Sequence, residues 1–535
     1  MKIEIYDTTL REGAQGAGVV FSEYEKERII TELDSLGVDF IEVGFFNSGS
    51  AQSLLALPGR VPTAHSRLSL LCPTRRAFTD IADDATIGAI CTSDFPAVAV
   101  VGKASSAHVS AILCTTPEEN LAMIGDTVRR LKAAGKHVSF DAEHFFDGYA
   151  YDRDYAVSTL RAAAAAGADR IVLCDTNGST LPEVIRTVVC EVALALPGAS
   201  LGIHCHNDIG MADACSVAAV QAGATLVQCT VSGIGERCGN ANLSTVIPVL
   251  QLKLGYDCIS PAALATLAGA ARRICQTANI GFDESEPFVG GHAFRHKAGL
   301  HIDAVKKLPQ SFEHIDPVVV GNKRSLVLSE LSGRSAVADA LARFGLFYPK
   351  NSEEVTRVME AMRVAEAQGY QYENSEASLL LLICRTLGLT DAPFELRDYK
   401  LLFQGEGKPE TRWSAILRFG AKGGRLDGEE LRVAEGDGPV NALDIASHGA
   451  LHHLFPCVDR IIMADIKARI DLNDSAASAS IVRVFVESCD GEIVWHTMGA
   501  STDIIAASLQ ALLDSYEYYI LLTTGKLPRG AKAEN

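Results

Sequence analysis

Residues 22–43 read SEYEKERIITELDSLGVDFIEV, and this stretch contains one complete helix-to-strand unit. Ser22 and Glu25 form the pattern of a capping box, which predicts that a helix begins directly after Ser22. Apolar residues then recur at helical spacing, at Ile29, Ile30, Leu33 and Leu36. Gly37 is a typical helix end, and the β-branched run Phe40–Val43 follows it. The stretch therefore predicts a helix that leads into a strand.

The same unit recurs through the first half of the chain. Eight short β-branched or apolar runs alternate with amphipathic helical patterns, at Ile3–Tyr6, Phe40–Val43, Leu68–Leu71, Ala97–Val101, His137–Phe140, Arg170–Leu173, Leu201–Ile203 and Leu226–Val231. This alternation predicts an α/β fold, and eight consecutive units fit a (β/α)8 TIM barrel better than an open sheet. The repeat alone is also compatible with a doubly wound topology.

The rest of the chain has a different pattern. We predict a barrel domain at 1–285, a helical connector at 286–393, an α+β domain at 394–525 and a polar tail at 526–535. The clearest connector helices are Glu353–Gln368 and Glu376–Leu389. The α+β domain contains two similar halves, each with strands, a glycine-containing turn and a helix, which indicates an internal duplication.

The composition excludes several classes of protein. The chain has 535 residues, 48 basic and 66 acidic side chains, and a net charge of −18. This balance argues against nucleic-acid or anionic-membrane partners. The 14 cysteines are too sparse for a disulfide scaffold, and no apolar leader opens the chain, so we expect a cytoplasmic protein. Residues 214–235 carry no formal charge, but polar residues interrupt them, so we expect no membrane span there.

In a TIM barrel, the functional groups gather where the strands end at their carboxyl side. Polar residues lie at these predicted strand ends, namely Asp7, Arg11, Glu12, Glu42, Asn47, Asp141, Glu143, Asp175, Thr176, His204, His206 and the glycine-rich loop Gly233–Asn240. Their positions predict that the polar side chains meet at one mouth of the barrel.

His204 and His206 form the sharpest local signal. Side chains two residues apart on a strand point to the same side, and two neutral imidazoles can hold a divalent metal. An isolated pair of this kind is more often structural, but Glu12 and Asn240 at neighbouring strand ends favour a site for Mg²⁺, Mn²⁺ or Zn²⁺. Asn207 and Asp208 are compatible with two roles, orienting these histidines or capping a helix.

Three further residues are candidates for catalysis. Arg11, next to Glu12, supplies a fixed cation where negative charge develops, and its alternative is a surface ion pair. Glu143 and His301 are candidates for proton transfer, although each residue taken alone also fits a structural role. His301 lies outside the barrel segment, so it has to fold back onto the barrel or come from a partner subunit.

Several motifs together resemble a known family. The runs 7–15, 204–208 and 233–240 are similar to the signature of the acyl-CoA Claisen-condensing barrel enzymes, which include the isopropylmalate, homocitrate and citramalate synthases and, as relatives, the hydroxymethylglutaryl-CoA lyases. The connector motifs 296–301 and 331–335, and the C-terminal motifs 436–442 and 501–505, resemble the synthases. The runs 141–149, 173–178 and 235–242 resemble the (R)-citramalate synthase branch in particular.

This resemblance implies a function and a set of roles. Glu12, His204, His206 and Asn240 would bind the metal, and Arg11 would stabilise the alkoxide. Thr176 would hold the carboxylate of a 2-oxoacid, with Glu42 and Asn47 as further substrate-binding residues. Glu143 and His301 would transfer protons. The branch implies that acetyl-CoA and pyruvate give (R)-citramalate on the route to isoleucine, in a homodimer whose C-terminal regulatory domain binds isoleucine as a feedback inhibitor.

Three stretches depart from the pattern of that branch and concern the choice of 2-oxoacid. Position 12 is Glu where many of these synthases have Asp, and Phe45-Phe46-Asn47 and the run 103–108 also differ. The alternatives are therefore a 2-isopropylmalate synthase, which uses 2-oxoisovalerate, and a homocitrate synthase. A lyase is disfavoured because the lyases end near the barrel and carry a longer, cysteine-containing loop before their asparagine. Here Cys238 lies only two residues before Asn240. An alternative of another class is a non-catalytic scaffold that senses an amino acid.

Overall fold

The computed structural model describes residues 1–47, 52–296, 301, 304–305, 307–326, 334–404, 412–421, 429–470, 480–491 and 493–528. The chain divides into two compact units. The first contains Met1–Arg295 and Glu313–Ser325, and the second contains His296–Phe312 and Leu326–Asn535. The boundaries at 285, 393 and 525 stay predictions, and the predicted tail beyond residue 528 lies outside the described residues.

Eight parallel strands in the first unit close into a barrel, with β8 paired to β1. The strands are β1 (Glu4–Asp7), β2 (Phe40–Phe45), β3 (Arg67–Pro73), β4 (Ala97–Lys103), β5 (His137–Glu143), β6 (Arg170–Asp175), β7 (Leu201–Cys205) and β8 (Leu226–Cys229). This closure confirms the predicted TIM barrel and excludes the doubly wound alternative.

The α-helices of the first unit follow the predicted alternation. They are Glu23–Leu36, Gln52–Leu55, Leu57–Arg60, Ala85–Thr92, Ser106–Ala111, Pro117–Ala133, Phe145–Tyr151, Arg153–Ala165, Pro182–Ala195, Ala212–Gln221, Leu243–Pro248, Pro261–Leu264 and Leu267–Thr277. The first of these has the predicted capping box, because the Ser22 hydroxyl accepts from the Glu25 backbone N–H at 3.3 Å and the Glu25 carboxylate accepts from the Ser22 N–H at 2.6 Å.

The barrel interior changes from apolar to polar along the strands. An apolar cluster fills its interior, formed by Tyr6, Phe40, Leu71, Ala97, Ala99, Val172, Cys174 and Leu226. Because strand side chains alternate, Glu42 and Gln228 point inward like Phe40 and Leu226, and each lies two residues nearer the carboxyl end of its strand. The apolar layer therefore closes the interior below the polar mouth, where the candidate residues lie.

Several strands end later than predicted, and β8 ends earlier. Asp141, Glu143 and His204 lie within β5 and β7 rather than after them, because parallel backbone pairing with β4 and β6 continues to these residues. β8 ends at Cys229, since a 3-10 turn begins at Val231 and Ser232 has a φ of 53°. Asp141, Glu143 and His204 are thus held by strand backbone rather than by loops.

The second unit contains the predicted duplication. Its α-helices are Arg334–Arg343, Glu353–Ala367, Glu376–Leu387, Pro439–His452 and Ile504–Thr523. After the short strands β9 (Arg295–His296) and β10 (Ser325–Leu326), two antiparallel sheets of three strands follow: β11 (Phe394–Gln404), β12 (Arg412–Ala421) and β13 (Glu429–Gly436), then β14 (Ile462–Ile470), β15 (Val482–Cys489) and β16 (Val494–Ser501). A long helix follows each sheet. None of the described helices has the length and apolar character needed to cross a membrane.

Candidate active site

Three buried side chains at the mouth of the barrel form a cluster of metal-binding type. Glu12 lies in the turn after β1, His204 lies in β7, and His206 follows that strand. The Nε2 atoms of His204 and His206 lie 3.6 and 4.0 Å from Glu12 Oε1. One ligand atom from each residue lies within 4.8 Å of the others. The structure thus brings together three of the four predicted ligands.

The glycine-rich loop brings the fourth ligand, Asn240, beside His206. These two residues pair as an isolated antiparallel bridge. Gly239 has a φ of +86°, and a Cβ atom there would lie 2.0 Å from the Gly233 carbonyl oxygen. A Cβ atom at Gly235 would lie 2.0 Å from Asn240 Nδ2. The loop therefore requires glycine at both positions to hold Asn240 at the mouth.

The cluster fits a divalent cation because it leaves buried oxygen atoms unsatisfied. Glu12 Oε2 and Asn240 Oδ1 are buried and have no hydrogen-bond partner among the described residues. Leaving such atoms unpaired is unfavourable, whereas a cation satisfies them directly. Two imidazoles with carboxylate and amide oxygens form a donor set that Mg²⁺, Mn²⁺ and Zn²⁺ all accept.

The protonation states of Glu12 and the two histidines also suit metal binding. Burial lowers the pKa of His204 to about 3 and also lowers the pKa of His206, so both rings are neutral and can bind a metal. Burial opposes ionisation of Glu12, but the adjacent Arg11 guanidinium and the two nearby imidazoles together lower the pKa of Glu12 to about 2. The site therefore combines a carboxylate with two neutral imidazoles.

Arg11 is held between two carboxylates. It is buried, its Nη1 pairs with Glu12, and its Nε lies 2.5 Å from Glu42 Oε1. The other Glu42 oxygen lies 2.9 Å from the Tyr6 hydroxyl, which lies 2.8 Å from Ser69 Oγ. Both oxygens of Glu42 thus contact protein groups, so the structure gives this predicted substrate-binding residue the additional task of orienting Arg11.

Glu143 and Thr176 lie at neighbouring strand ends of the mouth. Glu143 pairs with Lys103, its register partner on β4, at an Nζ–Oε2 distance of 2.5 Å. The Thr176 hydroxyl accepts from the His144 backbone N–H at 2.8 Å, which leaves its own proton available to a ligand. Both side chains are partly accessible, as expected of groups that meet a substrate.

Two further predicted residues are Asn47 and His301. Asn47 is exposed beyond the end of β2, after the buried Phe46, and residues 48–51 lie outside the described residues. His301 belongs to the second compact unit, where it is exposed and its ring lies 4.1 Å from the ring of Phe312. Its neighbours 297–300 and 302–303, and the motif residues 331–333, lie outside the described residues, so its catalytic role stays a prediction.

The two alternatives for Asn207 and Asp208 are now distinguishable. Asn207 Oδ1 accepts from the Ala212 backbone N–H at 3.1 Å, in the first turn of the helix Ala212–Gln221. Asp208 accepts two hydrogen bonds from Arg237, at 2.7 and 3.0 Å. Asn207 thus acts at a helix end, and Asp208 holds Arg237, whose Nη2 also donates to the Thr176 carbonyl oxygen at 2.7 Å.

The sequence interpretation missed one buried pair. Gln228 Nε2 donates to both carboxylate oxygens of Asp141, each at 3.1 Å, and both side chains are buried. Burial, and then the negative charge of Glu42, raise the pKa of Asp141 to about 7. The available signal was the alternation along β8, because Gln228 interrupts an apolar run two residues after the inward-facing Leu226.

Comparison with known proteins places the chain. Residues 2–271 match the HMGL-like family, residues 288–369 match the homocitrate synthase post-HMGL domain-like family, and residues 373–520 match the LeuA allosteric (dimerisation) domain. These three matches together cover nearly the whole chain.

Curated relatives narrow the assignment. An (R)-citramalate synthase from Synechocystis sp. is 41% identical over 533 residues, covering 97% of this chain and 96% of the relative. One from Aquifex aeolicus is 40% identical over 524 residues, covering 97% and 98%. A probable 2-isopropylmalate synthase from Methanopyrus kandleri is 32% identical over 522 residues, covering 96% and 97%. The chain therefore belongs to the HMGL-like barrel enzymes and, within them, to the (R)-citramalate synthase family.

Proposed function

We propose that the barrel condenses acetyl-CoA with pyruvate and hydrolyses the resulting thioester, which gives (R)-citramalate and CoA. The observation that carries this proposal is the cluster of Glu12, His204 and His206, whose ligand atoms lie within 4.8 Å of one another beside the buried Arg11. A buried ligand set next to a fixed cation suits a substrate that gains negative charge on oxygen.

Glu12, His204, His206 and Asn240 would hold the divalent metal. When it is bound, such a metal withdraws electron density from the ketone of the 2-oxoacid and makes its carbonyl carbon a better electrophile. Because the donor set accepts Mg²⁺, Mn²⁺ and Zn²⁺, the identity of the metal is a matter for titration.

Arg11 stabilises the ketone oxygen as it becomes an alkoxide. Its two carboxylate partners fix the guanidinium before substrate arrives, so little reorganisation accompanies the reaction. The Thr176 hydroxyl donates to the carboxylate of the 2-oxoacid, and Asn47 and Phe45 form the wall near its side chain. These contacts orient the carbonyl carbon toward the incoming nucleophile.

Glu143 removes a proton from the methyl group of acetyl-CoA. The resulting enolate carbon forms the new bond to the ketone carbon of pyruvate, and the ketone oxygen takes up a proton to become a hydroxyl. The Lys103 ammonium lies 2.5 Å from Glu143 Oε2 and orients this carboxylate. His301, from the same chain or from a partner subunit, serves the second stage, in which water cleaves the thioester and CoA leaves as a thiol.

The C-terminal domain has a separate role in this proposal. A LeuA allosteric (dimerisation) domain supports a homodimer with feedback control. Isoleucine is the predicted effector because it is the end product of the route that uses (R)-citramalate. Activity measured with and without isoleucine tests this assignment, and the predicted cytoplasmic location stays a prediction.

A panel of 2-oxoacids tests the substrate. The full chain, depleted of metal and then supplied with Mg²⁺ or Mn²⁺, is incubated with acetyl-CoA and each 2-oxoacid while free thiol is followed. We expect release with pyruvate. Release with 2-oxoisovalerate alone would instead indicate a 2-isopropylmalate synthase, and release with 2-oxoglutarate alone a homocitrate synthase. Absence of both release and metal binding would support the scaffold alternative.

A matched variant tests the base. Glu143→Gln keeps the shape of the side chain and removes its basicity, so we expect thiol release to fall about 100- to 10,000-fold. Mn²⁺ affinity should stay unchanged, because Glu143 contacts Lys103 rather than the ligand cluster. A variant that retains full activity would show that another group removes the proton.

A further inference from the structure

His204 Nδ1, the ring nitrogen that does not face Glu12, lacks a hydrogen-bond acceptor among the described residues. His204 Nε2 faces Glu12 Oε1 at 3.6 Å, so Nδ1 points away from the ligand cluster. Nδ1 is buried, and none of the described residues makes a hydrogen bond to it that satisfies ordinary geometry. A neutral imidazole that offers its Nε2 lone pair to a cation carries its proton on Nδ1, and that buried N–H requires an acceptor.

Gln228 is the side chain placed to supply this acceptor. It is the register partner of His204 across β7 and β8, and both side chains point into the barrel. Gln228 Oε1 is buried and has no partner among the residues that the structure describes. A donor without an acceptor, His204 Nδ1–H, and an acceptor without a donor, Gln228 Oε1, thus lie on residues that are paired across neighbouring strands.

Asp141 fixes which end of the Gln228 amide faces His204. The amide nitrogen donates to both Asp141 oxygens at 3.1 Å, whereas a turned amide would place oxygen against the carboxyl group. With its nitrogen held by Asp141, the amide leaves Oε1 for the ring of His204, its register partner on β7.

We infer that Gln228, oriented by Asp141, accepts the Nδ1–H of His204 and thereby selects the tautomer that presents the Nε2 lone pair to a divalent cation. Gln228 and Asp141 are positioning residues, since neither one is a ligand. This inference rests on the metal site of the proposed function. It extends that site from four ligands to a chain of contacts that runs from Asp141 through Gln228 to His204.

The test measures metal binding rather than turnover. Mn²⁺ is titrated into the full-length chain after chelator treatment, and free Mn²⁺ is followed by its electron paramagnetic resonance signal. Gln228→Met removes the acceptor, and we expect about 10- to 100-fold weaker binding. The control Thr159→Val removes a buried hydrogen bond to the Ala156 carbonyl oxygen in the helix Arg153–Ala165 and should leave Mn²⁺ affinity within about twofold.

Gln228→Met also leaves the buried Asp141 carboxyl group without its hydrogen-bond donor. Two double variants therefore keep the test decisive if the single variant fails to fold. Asp141→Asn with Gln228→Glu exchanges donor and acceptor but keeps an oxygen toward His204, so Mn²⁺ affinity should stay within about threefold of the parent. Asp141→Asn with Gln228→Met leaves no buried carboxyl at either position and removes the acceptor. It should bind about 10- to 100-fold more weakly.

The outcomes separate the inference from the proposed function. A parent chain that binds no Mn²⁺ overturns the metal site and the inference together. A parent that binds Mn²⁺ while both Met variants bind it equally well overturns the inference alone. Equal weakening by Thr159→Val, or failure of the exchanged pair to restore affinity, would show that packing rather than the acceptor matters and would also overturn it.

Discussion

Two clusters of buried polar side chains differ in how completely they are satisfied. In the second unit, Arg385 Nη2 lies 2.9 Å from Asp514 and 2.7 Å from Glu517, and Ser378 donates to the second Asp514 oxygen at 2.9 Å. At the barrel mouth, Glu12 and Asn240 each retain a buried oxygen without a partner among the described residues. The first cluster is complete within the chain, and the second is not.

The difference indicates what each cluster contributes. A complete network holds its own elements together, and here it joins the helices Glu376–Leu387 and Ile504–Thr523. An incomplete network costs stability unless a ligand completes it, so it indicates a binding site. Arg11 combines both situations, since it pairs with two carboxylates yet lies beside the unsatisfied cluster.

The largest expected effect comes from removing a ligand at the incomplete cluster. His204→Ala should lower thiol release at least about 1,000-fold, because activation of the ketone depends on the metal. The free energy of unfolding of the metal-free chain should change by about 1 kcal/mol or less, since no satisfied hydrogen bond is lost. Thiol release and urea unfolding followed by circular dichroism measure these two quantities. A large loss of stability would contradict the comparison.

Removing a residue of the complete cluster, Arg385, should instead lower stability. Arg385→Ala leaves two nearly buried carboxylates without their cation, but the guanidinium is 44% exposed. We therefore expect a loss of about 2 kcal/mol rather than the larger cost of a fully buried pair. The two tryptophans, Trp413 and Trp495, both belong to the second unit, so their fluorescence during urea unfolding follows this unit alone.

Mn²⁺ binding provides the control for this prediction. Arg385 belongs to the second unit and Glu12 to the first, and each cluster is held by contacts within its own unit. The affinity of Arg385→Ala for Mn²⁺ should therefore equal that of the parent. A parallel loss of Mn²⁺ binding and of stability would show that the two clusters act as one.

A smaller effect is expected from changing the length of a ligand. Glu12→Asp withdraws the carboxylate by one methylene from both imidazoles and from Arg11. Mn²⁺ affinity should fall about tenfold. A titration of the variant against the parent measures this change. Tighter binding would indicate that the cation lies nearer the β1 turn than the ligand atoms suggest.

The sequence predicted the fold and the residues of the candidate metal cluster because both depend on local patterns. Eight apolar runs with helical punctuation require only periodicity, and His204 and His206 share a face because they lie two residues apart. Gln228 and Asp141 were missed as a pair, since their contact depends on barrel closure and on the register of β5, β7 and β8. His301 could not be placed from the sequence, because its position depends on how the second unit folds.

The last expected effect is a pH dependence that distinguishes a neutral ligand from an ion pair. His204 has a pKa of about 3 in the folded chain, because burial lowers it from 6.5. Between these values the unfolded chain binds a proton that the folded chain does not, so this residue makes stability fall as pH falls. The carboxyl groups of Asp7 and Asp141 have raised pKa values of about 7, and they act in the opposite direction.

A His204→Gln variant isolates the contribution of His204 to the pH dependence of stability. Relative to the parent, metal-free His204→Gln should gain up to about 1 kcal/mol of stability for each pH unit below 6.5. Urea unfolding followed by circular dichroism from pH 6.5 to 4.5 measures this difference. Tryptophan fluorescence of the second unit should show no such change, because the complete cluster there does not include His204. Parallel curves for the two chains would mean that His204 is protonated when folded, as an ion-pair partner of Glu12 rather than a neutral ligand.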